Sequence, residues 1–108
     1  MMLRAATPAD LPAARAFLRR HEATSMFPLS NLAEGLDAPG PFGMRLWIAG
    51  DVEGVIGLTR NGSLMPQWPG AVDWSAARAV LAGEKVSMIM GPAPQVVALQ
   101  AALGLDDP

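Results

Sequence analysis

Cysteine is absent from this 108-residue chain, and histidine and lysine occur once each, as His21 and Lys85. Without a thiol there is no disulfide framework, no zinc-thiolate centre and no cysteine nucleophile. A single side chain, His21, ordinarily titrates near neutrality. Charge is sparse as well: 8 Lys and Arg against 10 Asp and Glu leave a net charge of −2. The basic residues are scattered, so neither a nucleic-acid partner nor a polybasic membrane contact is expected. Apolar residues make up 51% of the chain, yet their unbroken runs are only a few residues long. No segment reads as a membrane span, and no N-terminal run has the form of a signal peptide. A cytoplasmic location is the expectation, reached by exclusion. The length leaves room for one domain, residues 1–108, with enough core to fold without a metal or cross-link.

What is present is periodic and well punctuated. Residues 2–6 have strand length and end at Thr7-Pro8. A helix follows to about Glu22, with Leu11, Ala14, Phe17, Leu18 and His21 on one face. Thr7 and Asp10 compete to cap it, and Asp10 is preferred because it places Pro12 in the first turn, where no amide hydrogen is needed. A shorter helix starts near Pro28 and stops at Gly35. After a loop rich in Pro and Gly over residues 37–43, two apolar segments, 45–49 and 55–59, flank a turn and form a hairpin. Asn61-Gly62 suits a type I′ turn that returns Ser63-Leu64-Met65 antiparallel to the second arm. Pro66 and Pro69 are expected to end that ladder. Asp73 opens a helix carrying Trp74, Ala77 and Leu81 and closed by Gly83. Residues 86–90 form an apolar strand covered on both faces, parallel to the segment at Leu64. A last helix, 94–103, turns Val96, Leu99 and Leu103 inward and stops at Gly104. The expected class is α+β with a mixed sheet, in the order β-α-α-β-β-β-α-β-α.

That order, with the opening Leu3-Arg4-Ala5-Ala6-Thr7-Pro8-Ala9-Asp10-Leu11, resembles the N-acetyltransferase fold of the GNAT superfamily. Residues 25–32 (Ser-Met-Phe-Pro-Leu-Ser-Asn-Leu), Leu64-Met65-Pro66-Gln67 and Gly91-Pro92 resemble the amino-terminal half of a two-part bacterial GNAT protein. The resemblance covers nearly the whole chain. It implies acetyl transfer from acetyl-CoA to an amine, with a carboxy-terminal catalytic half following this segment as its partner, or a homo-oligomer in its place. It also implies a cofactor motif between the fourth strand and the third helix: Gln or Arg, two residues, Gly, one residue, then Gly or Ala. Gln67, Gly70 and Ala71 occupy that segment and are the candidate acetyl-CoA-binding residues. Backbone amides and a helix N-terminus would hold the pyrophosphate there. The segment departs from the pattern at three points. Val72 stands where a small residue belongs, Pro69 removes an amide, and Asp73 sets a carboxylate against phosphate. The expectation is a loop that joins strand to helix without gripping the cofactor.

Acetyl transfer needs a base for the ammonium and a donor for the developing oxyanion. The Tyr that family members often use as an acid is absent. Glu22, Glu34, Glu53 and Glu84 fall at helix ends or turns and read as solvated charges. His21 reads as a cap or dipole partner, while Asn31 and Ser25 sit beside the second helix, where acceptors commonly lie in that fold. Trp47, Trp74, Met88 and Met90 are expected in the core, and Trp68, between two prolines, is expected at the surface. Three readings follow: a non-catalytic GNAT-like half, a small complete acetyltransferase with a degenerate loop, and a binding or assembly module docking through Trp68 and Phe27.

Overall fold

A computed structural model describes residues 3–21, 26–33, 35–70 and 74–104. Five strands lie in one sheet in chain order: β1 (Leu3–Ala5), β2 (Met44–Ala49), β3 (Gly54–Thr59), β4 (Ser63–Gln67) and β5 (Met88–Ile89). The first three pairings are antiparallel, and β4 with β5 is parallel. Four helices accompany them: α1 (Leu11–Arg20), α2 (Met26–Asn31), α3 (Ser75–Leu81) and α4 (Ala93–Leu103). The mixed α+β class and the element order expected from the sequence are those of the structure.

Strand alternation divides the core in two. On β2, Met44, Leu46 and Ile48 face α1 and α2, where Ala14, Phe17, Leu18 and Leu32 are buried. Trp47 and Ala49 face the opposite way, toward Trp74, Ala77 and Leu81 of the α3 segment and Leu99 of α4. A sheet with helices over both faces buries successive residues, which is why the middle strands read as continuous apolar runs rather than alternating ones.

The strand ends differ from the sequence expectation in three places, each for a local reason. Pro66 does not end β4, because it lies opposite Ile56 within the ladder. Leu64 accepts the Met90 amide, so Leu64 and Pro66 turn their backbone polar groups toward β5, and Met65 and Gln67 turn theirs to β3. The missing proline N–H therefore falls on the β5 side, beyond the last β4–β5 pair, and removes no rung to β3. The turn after β3 is not type I′. Gly62 has a φ of 91° but Asn61 is not left-handed, and the Gly62 amide donates to Thr59 O at 3.0 Å. This is a three-residue loop whose final glycine takes the positive φ. The last strand is shorter than expected, two residues rather than five.

At the start of α1 both candidate caps take part. A short 3-10 turn, Pro8–Asp10, precedes the helix, and Asp10 occupies the nominal cap position without bonding forward to the helix amides. Its carboxylate turns back, accepting from the Thr7 amide at 2.8 Å and from both terminal nitrogens of Arg4 at 2.9 and 3.0 Å. The Arg4 guanidinium first, and the Thr7 amide second, hold the Asp10 carboxyl well below the usual aspartate range. A group whose pKa is lowered on folding stabilises the native state above its unfolded pKa, near 3.9 for Asp, and loses that contribution as pH falls toward the native value. Asp10→Asn should therefore be less stable than the wild type at pH 5, and the gap should shrink progressively on acidification below about pH 4. Urea titrations of both proteins across that range measure the gap; a gap independent of pH would contradict the assignment.

Candidate functional site

The segment that carries the cofactor resemblance begins at the carboxy-terminal end of β4. Gln67 is 2% exposed, paired with Val55 through the ladder, and its Oε1 accepts from Gln95 Nε2 at 3.3 Å. The Gln95 carboxamide oxygen in turn accepts the Trp68 backbone N–H at 2.7 Å. Gln95 lies in the first turn of α4, which Pro92, Ala93 and Pro94 bring back beside the end of β4. Gly91 makes this return possible, since a Cβ there would stand 3.0 Å from Pro66 O. One glutamine thus fastens the end of the fourth strand to the last helix.

Trp68 is not a surface contact. It is 4% exposed, meets Trp74 edge to face with ring centroids 5.3 Å apart, and covers Gly54 at the start of β3. Its indole packs with Trp74, Ala77, Leu81 and Leu99 on the α3 and α4 face. Beyond it Gly70 is exposed, has no left-handed φ, and among the described residues has nothing within 4 Å of the position of a Cβ. Among the described residues no close approach requires glycine there. Ala71, Val72 and Asp73 lie outside the described residues, as do Glu22, Ser25, Glu34 and the side chain of Phe27.

Three consequences bear on phosphate binding. The first amide of the loop is engaged by Gln95, Pro69 has none to offer, and the Gln67 carboxamide is buried rather than presented. Helix α3 is also short, seven residues, and its cap position is filled by Trp74, which makes no side-chain capping bond.

The remaining candidate residues are dispersed. His21 is the C-cap of α1, with its amide on Leu18 O at 3.0 Å and its ring 4.8 Å from that of Phe17. Glu84 is paired rather than merely solvated: Arg45 reaches it through two hydrogen bonds of 2.6 and 3.1 Å and lowers its pKa. Arg45 also lies 5.2 Å above the Trp47 ring, so this contact joins β2 to the end of α3. Glu53 is exposed in the β2–β3 turn. Asn31 closes α2 and donates to the Met65 sulfur at 3.6 Å. Among the described residues no hydrogen bond or ion pair joins His21, Glu53, Glu84 and Asn31 to one another as it would a base and its orienter. Among the described residues no cluster of His, Asp and Glu has the form of a metal site, and no helix is long and apolar enough to cross a membrane.

No family model, curated protein or solved structure matches the chain.

Concave surfaces among the described residues lie away from the loop after β4. A groove of about 360 Å³ runs beside β5, between Met65, Met88 and Met90 on the sheet and Asn31, Phe42 and Asn61 on its rim. Met88, expected in the core, is 52% exposed there, and Phe42 is 63% exposed. Met88 shares the sheet face of Met65, but α2 ends at Asn31, whose side chain reaches only to Met65. The helical layer stops one strand short of the sheet edge. The sequence offered no signal for Gln95, because its role depends on a return of the chain that only the tertiary fold sets.

Proposed function

We propose that this chain is a non-catalytic, GNAT-like amino-terminal half of an acetyltransferase, with acetyl-CoA bound and the base supplied by other residues of the complete enzyme. The observation that carries this reading is the Gln95 clamp. It occupies the Trp68 amide and the Gln67 carboxamide at the place where the family pattern would aim free donors at a pyrophosphate. The order of elements and the single parallel pair, β4 with β5, support the GNAT-like half of the proposal. The dispersal of His21, Glu53 and Glu84 supports the non-catalytic half.

A cofactor loop works through several unengaged amides converging on one anion, in a site that excludes water. Here the first donor is spent inside the fold and the second position is proline, so an incoming pyrophosphate would have to break a partly buried hydrogen bond to gain a comparable one. Net affinity from such an exchange is small. Isothermal titration of the chain with acetyl-CoA is therefore expected to show no saturable binding up to about 1 mM, equivalent to less than about 4 kcal/mol. Micromolar binding would instead favour a small complete acetyltransferase.

A further inference from the structure

We infer that two copies of this chain pair edge to edge through β5, antiparallel about a two-fold axis at Ile89. The inference does not depend on whether the chain binds acetyl-CoA, and it concerns a different part of the surface.

Met88 and Met90 donate their amides across to Gly62 O and Leu64 O, at 3.3 and 2.9 Å. By strand alternation Ile89 turns both its N–H and its C=O away from β4, toward the outer edge of the sheet. Among the described residues no backbone hydrogen bond from outside the sheet reaches Ile89, and α4 packs Leu99 into the core. A free donor and acceptor on one residue form half of an antiparallel hydrogen-bonded pair. A second Ile89, related by a two-fold axis, supplies the other half.

The side chains fit the same operator. In an antiparallel pair centred on Ile89, Met88 of each copy stands opposite the partner's Met90. Met88 and Met90 line the groove beside the edge, so the exposed Met88 of one copy is covered by the apolar strand of the other, and the two grooves become one continuous thioether-lined surface. Charge permits it. Residues 86–92 (Val-Ser-Met-Ile-Met-Gly-Pro) carry none, and neither does the lining of the groove. A charged occupant would be desolvated there without a counter-ion, whereas this uncharged apolar strand matches the surface it would meet. Of the devices that keep a sheet edge unpaired, β5 has shortness, at two residues, but no Lys, Pro or bulge within them. Ile89 also packs on the α3 and α4 face, which keeps its backbone held in position.

Light scattering at about 100 μM should give twice the chain mass. Met88→Glu, which sets a carboxylate against the partner's Met90 with no counter-ion, and Ile89→Pro, which removes the outward N–H but no bond to β4, should each halve the mass with the circular dichroism unchanged. Val97→Glu alters another exposed apolar residue, 64% exposed on α4, and should leave the mass doubled. Should either β5 variant fail to fold, hydrogen exchange on the unaltered chain decides: the Ile89 amide should exchange at least about tenfold more slowly in concentrated than in dilute solution. A wild type of single chain mass at every concentration would overturn the inference, as would an Ile89 amide indifferent to concentration or a dimer broken by Val97→Glu alone.

Discussion

Trp68→Ala is expected to lower the unfolding free energy by about 3–5 kcal/mol, the range for deleting a large buried aromatic. The indole is 4% exposed, packs edge to face on Trp74 and covers the start of β3. Its removal leaves a cavity bounded by strand and helix backbone, which cannot collapse without moving β3 or α3. Domains of this size have about 5–15 kcal/mol in total, so the variant should sit near the threshold of folding and melt roughly 15–25 °C lower. Urea denaturation of wild type and variant measures the difference. A loss under about 1 kcal/mol would mean that Trp68 is a surface residue after all, as its proline-flanked position first implies.

Gly54→Ala should follow with a loss of about 2–3 kcal/mol. Gly54 opens β3 opposite Ala49, and its backbone does not require glycine, since its φ is not left-handed. The constraint is space. An added Cβ would stand 2.7 Å from Trp68 Cβ and nearer still to Cγ and Cδ1 of the indole. These are the stiff, backbone-proximal atoms of a buried ring, so relief requires the whole tryptophan to shift against Trp74 and the Gln95-bound amide. In a Trp68→Ala background the Cγ and Cδ1 contacts are gone and only the Cβ at position 68 remains close, at 2.7 Å, so the same glycine substitution should cost less than about 1 kcal/mol. Gly70→Ala, where no described atom approaches, should be equally mild in the wild type. Equal losses for Gly54→Ala in the two backgrounds would show that the contact is not the cause.

These two residues also show how far the sequence can be read. The element order was legible because period and punctuation agree: Gly104 stops α4 in the left-handed conformation, and the apolar runs of β2 and β3 are those of a sheet covered on both faces. Misreadings arise where a local rule meets a tertiary fact. Pro66 looks like a strand breaker, yet the side on which its missing donor falls depends on where β5 ends. Trp68 looks exposed because prolines flank it, yet its direction is set by the space that Gly54 leaves. Met88 looks buried because its neighbours are apolar, yet α2 is too short to cover it. The candidate cofactor residues Gln67 and Gly70 were legible as a pattern, but their surroundings were not. Gln67 is fastened by a glutamine 28 positions away, and no described atom lies within 4 Å of where a Cβ on Gly70 would stand.

The reading of the whole molecule turns on whether the amides after β4 are available to an anion. Amide chemical shifts of uniformly ¹⁵N-labelled protein, followed while acetyl-CoA is added, examine those groups one at a time. The Trp68 and Gly70 signals should stay in place to about 1 mM cofactor, with the Trp68 amide protected from exchange by its bond to Gln95. Saturable movement of both signals at micromolar acetyl-CoA would contradict the account and make this loop a working cofactor site.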